Sequence, residues 1–295
     1  MEYKGLNIIE KGNGIIVEGI KDFNPVHIFE CGQCFRWFRQ DDGSYTGIAR
    51  GRVVNVRCSD GRLGIENTTP EDFKDIWFEY FDLGRDYSYI KQRLANDKIL
   101  KKAIQFGYGI RILKQDIGET LISFIISANN RIPMIMKVVA AISKVYGEEV
   151  QFNGRSYYAF PDMNRLSNST LEQLEVCKGG FRCKYIIKTS GMIRDNEVNL
   201  ERLTHMSTEA ARSELTRLPG VGDKVADCTL LYSGIKLNVF PTDVWVKRVM
   251  EELFFKREAS HEEIQNFAQE RFGELAGVAQ QYLFYYAREN KIGLG

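Results

Sequence analysis

The segment Leu218-Pro219-Gly220-Val221-Gly222-Asp223-Lys224 constrains this chain more than any other. Just upstream, Ser207 stands where a helix N-cap belongs, and Ala211, Leu215 and Leu218 recur at i, i+4 and i+7, the period of one apolar helix face. Pro219-Gly220-Val221-Gly222 then turns the chain sharply. A second helix is expected from about Asp223 to Ser233, with Val225, Cys228, Leu231 and Tyr232 toward one side and Gly234 as its C-terminal stop. The unit is two short helices joined by a glycine turn. Gly220 and Gly222 leave the amides of the turn unshielded, so they can approach an anionic oxygen, and the second helix points its positive end there. On glycine spacing alone, an ordinary helical hairpin that uses glycine only for positive φ is an equal alternative.

Two side chains attach chemistry to this hairpin. Lys224 falls in the first turn of the second helix, where the helix dipole opposes an ammonium and favours the neutral amine, a nucleophile. A surface lysine that contacts phosphate is the plainer reading of that residue. Asp243 follows Pro241-Thr242 and opens a further helix, Val244–Phe255, with Val246, Val249, Met250 and Leu253 at helical spacing. As the N-cap of that helix its carboxylate is fixed in direction. It lies 19 residues beyond Lys224, with one helix and a loop between, so both side chains can face one cleft.

The chain divides into two kinds of pattern. Gly14–Ile20, Phe35–Arg39, Tyr45–Arg50, Val53–Cys58 and Leu63–Glu66 are short β-prone runs, with Asp42-Gly43 and Asp60-Gly61 as hairpin turns. Helical signals take over at Thr69-Pro70-Glu71-Asp72. Asp116-Ile117-Gly118-Glu119 reads as a capping box that opens a very apolar helix, Thr120–Ile126. Another helix follows from Pro133, with Ile135, Val138, Val139 and Ile142 on one face and Gly147 as its stop. The expected fold is α+β: an N-terminal antiparallel β-sheet subdomain with helices over residues 1–110, then a mostly helical domain over 111–295. The latter holds the hairpin, at about 207–234, and the loop that ends in Asp243, at about 235–243.

Composition excludes more than it selects. The 295 residues are 44% hydrophobic and 27% charged, ordinary for a soluble globular protein. No apolar run is long enough to span a bilayer, and the N-terminus lacks a signal-peptide pattern, so a prokaryotic cytosol is expected. Net charge is +1, so any nucleic-acid contact must be a local patch. The run Lys98–Lys114, with Lys101, Lys102 and Arg111, is either such a patch or a solvated helix face. Six cysteines and three scattered histidines include one CxxC, Cys31–Cys34, without a second pair, which argues against a zinc site and for reduced thiols. No metal or other cofactor is expected.

The span Leu218–Asp243 resembles the helix–hairpin–helix motif, with its Gly/Pro…Asp extension, of a superfamily of DNA base-excision glycosylases. Outside it, Cys31-Gly32-Gln33-Cys34-Phe35-Arg36-Trp37 resembles a segment of the 8-oxoguanine DNA glycosylases. So do Gly109–Asp116, Phe124–Asn130, Gly179–Arg182 and Ala276–Phe284, in the right order along essentially the whole chain. The resemblance implies a monomeric enzyme that acts on duplex DNA containing 8-oxoguanine at the nucleoid. Lys224 would be the nucleophile at deoxyribose C1′ and Asp243 the carboxylate that stabilises the cationic sugar. A lysine Schiff base would permit β-elimination, making the enzyme both glycosylase and abasic-site lyase.

The same resemblance implies a pocket for a flipped base. Phe284 and Cys228 would sandwich the base, Gln280 would bond its Watson–Crick edge, and Pro241 would line the site. The backbone carbonyl of Gly32 would accept the N7–H that 8-oxoguanine has and guanine lacks. Asn129 would fill the gap in the duplex, Phe181 would wedge into the stack, and Arg182 would bond the orphaned cytosine. Two departures are visible. Met134 stands where animal and yeast members carry a second cytosine-reading arginine, and a thioether cannot donate, so relaxed opposite-base preference is expected, offset in part by Arg131. Trp245 replaces a common phosphate-contacting histidine. The alternatives are a related glycosylase of different base specificity and a non-catalytic DNA-binding hairpin protein. Lys224 disfavours the monofunctional relatives. The absence of any cysteine after Cys228 disfavours the iron–sulfur relatives.

Overall fold

The computed structural model describes residues 1–293. Seven antiparallel strands form one sheet: β1 (Glu2–Tyr3), β2 (Leu6–Lys11), β3 (Gly14–Glu18), β4 (Trp37–Arg39), β5 (Tyr45–Ala49), β6 (Arg52–Ser59) and β7 (Arg62–Glu66). Their spatial order is β1-β2-β3-β7-β6-β5-β4. The register sets apolar residues opposite one another, with Ile15 facing Ile65 and Val56 facing Ile65 from the other side. One-residue slippage would turn these side chains to the wrong face. Phe29 stacks on Trp37 with ring centroids 4.0 Å apart, and the Trp37 indole donates to the Tyr80 hydroxyl at 2.9 Å. Trp77, Phe73 and Phe81 complete this core.

The sheet differs from the sequence expectation in four places. The strands β1 and β2 lie before the first run read as β, because Leu6–Lys11 buries one residue, Ile8, and leaves Ile9 exposed. The expected strand Phe35–Arg39 begins only at Trp37, since Phe35 turns away into the helical core against Phe124. The runs Gly14–Ile20 and Tyr45–Arg50 stop at Glu18 and Ala49, where Gly19 and Arg50 take positive φ. A second, two-stranded sheet, Glu149–Phe152 with Arg155–Tyr158, interrupts the helical part. Its turn is Asn153-Gly154, both at positive φ, a hairpin signal present in the sequence.

The helical part is built around Ile117–Ser127, which is buried along most of its length and packs against Asp223–Tyr232. Asp116 caps it by accepting from the Glu119 amide at 2.9 Å. The expected capping box is only half formed, because the Glu119 side chain pairs with Arg36 of the sheet segment at 3.4 Å instead. The next helix, Ile132–Tyr146, carries Pro133 in its first turn and Gly147 as its C-cap. The expected helix Val244–Phe255 is α-helical to Met250 and widens into a π turn over Glu251–Phe255. Among the described residues no helix is long and apolar enough to cross a membrane.

The basic run Lys98–Lys114 is not one surface. Arg111 is 4% exposed and donates to the carbonyls of Lys21, Asp22 and Asp82. Lys114 pairs with Glu79 at 2.7 Å and Asp82 at 3.2 Å. Only Lys98, Lys101 and Lys102 face solvent, on the outer side of the helix Lys98–Phe106.

The join between the two parts positions the site. Gln33 is fully buried; its Nε2 donates to the carbonyls of Ile28 and Arg111 at 2.9 and 2.8 Å, and its Oε1 accepts from the Leu113 amide at 2.9 Å. Gln115 donates to the Gln33 carbonyl at 2.7 Å, and Gln281 donates to the Cys31 carbonyl at 2.9 Å. Satisfied buried networks of this kind specify one arrangement. They hold Gly32, a residue of the sheet-side segment, against the last long helix, Ala276–Glu289.

Candidate active site

The hairpin forms as two helices, Thr208–Thr216 and Asp223–Tyr232. Ser207 caps the first by accepting from the Ala210 amide at 3.2 Å. Gly220 sits at φ +81°, and a β-carbon there would lie 2.9 Å from the Tyr185 ring. Both the backbone and the close approach therefore demand glycine. Gly222 is the N-cap of the second helix, and nothing lies within 4 Å of where its β-carbon would stand. Among the described residues, the Gly220 and Gly222 amides have no recorded partner. With the helix N-terminus behind them they form an anion-receptive edge.

The second hairpin helix is tied to the first by an ion pair. Asp227, 2% exposed, pairs with Arg212 of the first helix at 2.6 Å. Burial pushes its carboxyl up, against the pull of Arg212. Lys224 and Cys228, one turn apart on the same helix, both line a cavity of about 320 Å³. The cavity is also lined by Gly32, Pro241, Asp243, Trp245, Gln280 and Phe284, and by Arg131 at its rim. Lys224 and Asp243 thus share one space, although a helix and a loop separate them in sequence.

Lys224 is anchored. Its Nζ donates to Ser127 Oγ at 2.9 Å and lies 5.1 Å from the centre of the Phe124 ring. The Ser127 hydroxyl donates to the Phe124 carbonyl at 2.7 Å, so its oxygen is left to accept from the amine. Phe124 stacks in turn on Tyr232, centroids 5.2 Å apart. The Asp243 Oδ1 accepts from the Val246 amide at 2.8 Å, which caps the helix Val244–Met250 and fixes the carboxylate. Burial pushes the Cys228 thiol up to about 12, so it is an uncharged wall of the cavity.

Gln280 is 3% exposed, and its buried Oε1 has no partner among the described residues. A buried, unpartnered amide oxygen costs about 1–3 kcal/mol, and because Gln280 also lines the cavity its amide is a candidate ligand contact. Gly32 sits at φ +88°, and a β-carbon there would come within 3.0 Å of Phe284 Cε1. Glycine is required for the chain to pass this close to that ring.

Asn129, Met134, Phe181 and Arg182 stand outside the cavity. Asn129 is exposed at φ +50°, at the end of the Ile117–Ser127 helix. Arg182 Nε donates to the Ala128 carbonyl at 2.9 Å and Nη2 to the Asn129 carbonyl at 3.1 Å, clamping that turn. Its guanidinium lies 4.4 Å from the Phe181 ring, and Phe181 is 56% exposed. Met134, 43% exposed, begins the neighbouring helix. Trp245, which replaces a common phosphate-contacting histidine, lines the cavity. Sequence reasoning missed Ser127, Phe124, Tyr232 and Arg288 among the cavity residues. Arg288 alone carried a readable signal, its spacing of four and eight from Phe284 and Gln280.

The helical hairpin, the Asp-capped helix after it and the shared cavity define a base-excision DNA repair fold, and the chain belongs to the HhH-GPD superfamily of base excision DNA repair proteins, whose profile matches residues 122–274. The 8-oxoguanine DNA glycosylase N-terminal domain matches residues 15–121. Within the superfamily, the chain is similar to the 8-oxoguanine glycosylase/lyase of Clostridium acetobutylicum, solved with dsDNA containing cytosine opposite 8-oxoG. That likeness has 48% identity and a TM-score of 0.95, over 97% of this chain and 99% of the other. MBOgg1, solved with a low affinity DNA ligand, is 51% identical with a TM-score of 0.95, over 97% and 99% of the two chains. A probable N-glycosylase/DNA lyase of Methanothermobacter thermautotrophicus is 31% identical over 80% of this chain and 83% of its own length.

Proposed function

We propose that this protein removes 8-oxoguanine from duplex DNA and then nicks the strand at the resulting abasic site. The observation that carries the reading is the joint placement of Lys224, Asp243 and the unpartnered Gln280 amide in one cavity. A half-buried nucleophile, a fixed carboxylate and a hydrogen-bonding end wall suit excision of a flipped base. Phe284 and Cys228 supply apolar faces for the purine. The Gly32 carbonyl accepts the N7–H that distinguishes the lesion; guanine offers a lone pair there and is rejected. A protein with this substrate works where the DNA lies, at the nucleoid.

The steps follow from the geometry. Asp243 stabilises positive charge as the C1′–N9 bond breaks and the base leaves with the electron pair. The neutral Lys224 amine forms the N–C1′ bond and gives one proton to solvent; the C1′–O4′ bond then breaks, O4′ takes up a proton, and the nitrogen keeps its last proton in the C1′ iminium. That iminium acidifies C2′–H; loss of this proton expels the 3′ phosphate, breaking the C3′–O bond. Asn129 and Phe181 occupy the duplex beside the extruded nucleotide. Arg182 has to reach the opposite base from the turn it clamps. The amides of Gly220 and Gly222 hold a phosphate.

Borohydride reduction on a duplex containing 8-oxoguanine tests the reading. A covalent protein–DNA adduct is expected, since the iminium is reducible. Base release without any trapped adduct would remove the lysine mechanism, and no base release at all would remove the function. A non-catalytic DNA-binding role is disfavoured by the cavity itself, which phosphate contact does not need.

A further inference from the structure

Three residues of the last long helix fall in one row. Gln280, Phe284 and Arg288 are spaced by four, share a helix face, and all line the cavity. The first two have roles in the reading above; the third does not. Arg288 is held from outside the cavity. Its Nη2 donates to the Glu30 carbonyl at 2.5 Å and to Glu289 Oε1 at 2.8 Å, and its Nε donates to the same oxygen at 2.9 Å. The guanidinium carbon lies 5.6 Å from the centre of the Phe284 ring. A fork fixed at two nitrogens is a rigid donor, and little side-chain freedom remains to be lost when a ligand arrives.

The remaining nitrogen, Nη1, has no recorded partner among the described residues. It is also the guanidinium atom nearest Gly32: a β-carbon built there would stand 3.4 Å from it. Arg288 therefore places an uncommitted N–H beside the backbone that reads N7. In 8-oxoguanine the atom next to N7–H is C8, which carries an exocyclic oxygen. A carbonyl that accepts from N7–H leaves that oxygen needing a donor.

We propose that Arg288 is a substrate-contacting residue that donates Nη1–H to the C8 oxygen of the flipped base. The inference rests on the base-excision reading and extends it to the second of the two atoms that distinguish the lesion from guanine. It also assigns Arg288 a part in bond breaking. As the C1′–N9 bond breaks, its electron pair passes to the purine and is delocalised from N9 through C8 onto that oxygen. A fixed cationic donor there stabilises the leaving group more strongly in the transition state than in the ground state. Guanine carries C8–H at this position and offers the guanidinium no acceptor.

The test compares two duplexes with the whole protein. One contains 8-oxoguanine; the other contains a preformed abasic site, which places no base in the cavity. Arg288→Ala is expected to slow single-turnover release of 8-oxoguanine by roughly 10- to 100-fold, the loss of a charged hydrogen bond. Borohydride trapping on the abasic duplex is expected to fall far less, within about threefold of wild type, because that substrate presents no C8 oxygen for Arg288 to contact. Arg288→Lys, which keeps charge but not the fork, is expected to recover only part of the excision rate. Unchanged excision in Arg288→Ala overturns the proposal. So does an equal fall on both duplexes, which would make Arg288 a structural residue. Failure of the wild type to trap on either duplex would instead overturn the base-excision reading itself.

Discussion

Gln280 lets a stability measurement report on a binding site. The residue is 3% exposed, yet its buried Oε1 has no partner among the described residues. Leaving a buried amide oxygen unpaired costs about 1–3 kcal/mol. Gln280→Met keeps the volume and the unbranched shape, and such swaps cost less than about 1.5 kcal/mol in a packed site. The neighbours Val278, Ala279 and Leu283 are buried and apolar, so methionine meets a compatible surface. The two effects predict a variant between about 0.5 kcal/mol less stable and about 3 kcal/mol more stable than wild type. The same change removes the group proposed to bond the Watson–Crick edge of the base. Losing a hydrogen bond of about 1–3 kcal/mol lowers kcat/KM by roughly 5- to 160-fold. The assays are urea unfolding and single-turnover excision on the 8-oxoguanine duplex. A variant destabilised by more than about 2 kcal/mol would show that Gln280 is held by interactions of its own. Full excision in a stable variant would show that it does not face the base.

Three further outcomes are expected. Ser127→Ala removes the acceptor that anchors Lys224 and should lower kcat about 3- to 10-fold with little change in KM; a rise in KM alone would place Ser127 in substrate binding. Met134→Arg supplies a donor beside the Asn129 turn and should steepen the preference for cytosine opposite the lesion, read as relative excision opposite C, T, G and A; an already steep wild-type preference would contradict the relaxed discrimination expected here. Burial pushes the Cys228 thiol up to about 12, so it stays protonated below that pH and alkylates slowly; rapid iodoacetamide labelling of Cys228 near pH 8, or a pH–rate step that vanishes in Cys228→Ala, would contradict this.

Much of the catalytic hairpin was legible because its demands are local. Gly220 needs positive φ, Ser207 and Asp243 are caps, and the helix face of Ala211, Leu215 and Leu218 repeats at helical spacing. The α+β division was legible for the same reason: turn residues and period-two runs give way to caps and longer periods. What escaped depends on tertiary neighbours. Leu6–Lys11 buries a single side chain, so its strand pattern is faint. Phe35 reads as part of a strand but packs on Phe124, 89 residues away in sequence, with ring centroids 5.4 Å apart. Glu119 looks like half of a capping box until Arg36 arrives from the other part of the molecule. Ser127 is an unremarkable helix residue until the hairpin brings Lys224 to it. The Asn153-Gly154 turn is different in kind, a local signal that was present and went unread.

The central claim is that Lys224 forms the covalent bond to the sugar. Borohydride trapping on the 8-oxoguanine duplex, followed by protease digestion and mass mapping of the nucleotide-bearing peptide, tests it most directly. The account predicts a single adduct on Lys224, lost in Lys224→Gln. An adduct on any other amine, or undiminished trapping by Lys224→Gln, would contradict it.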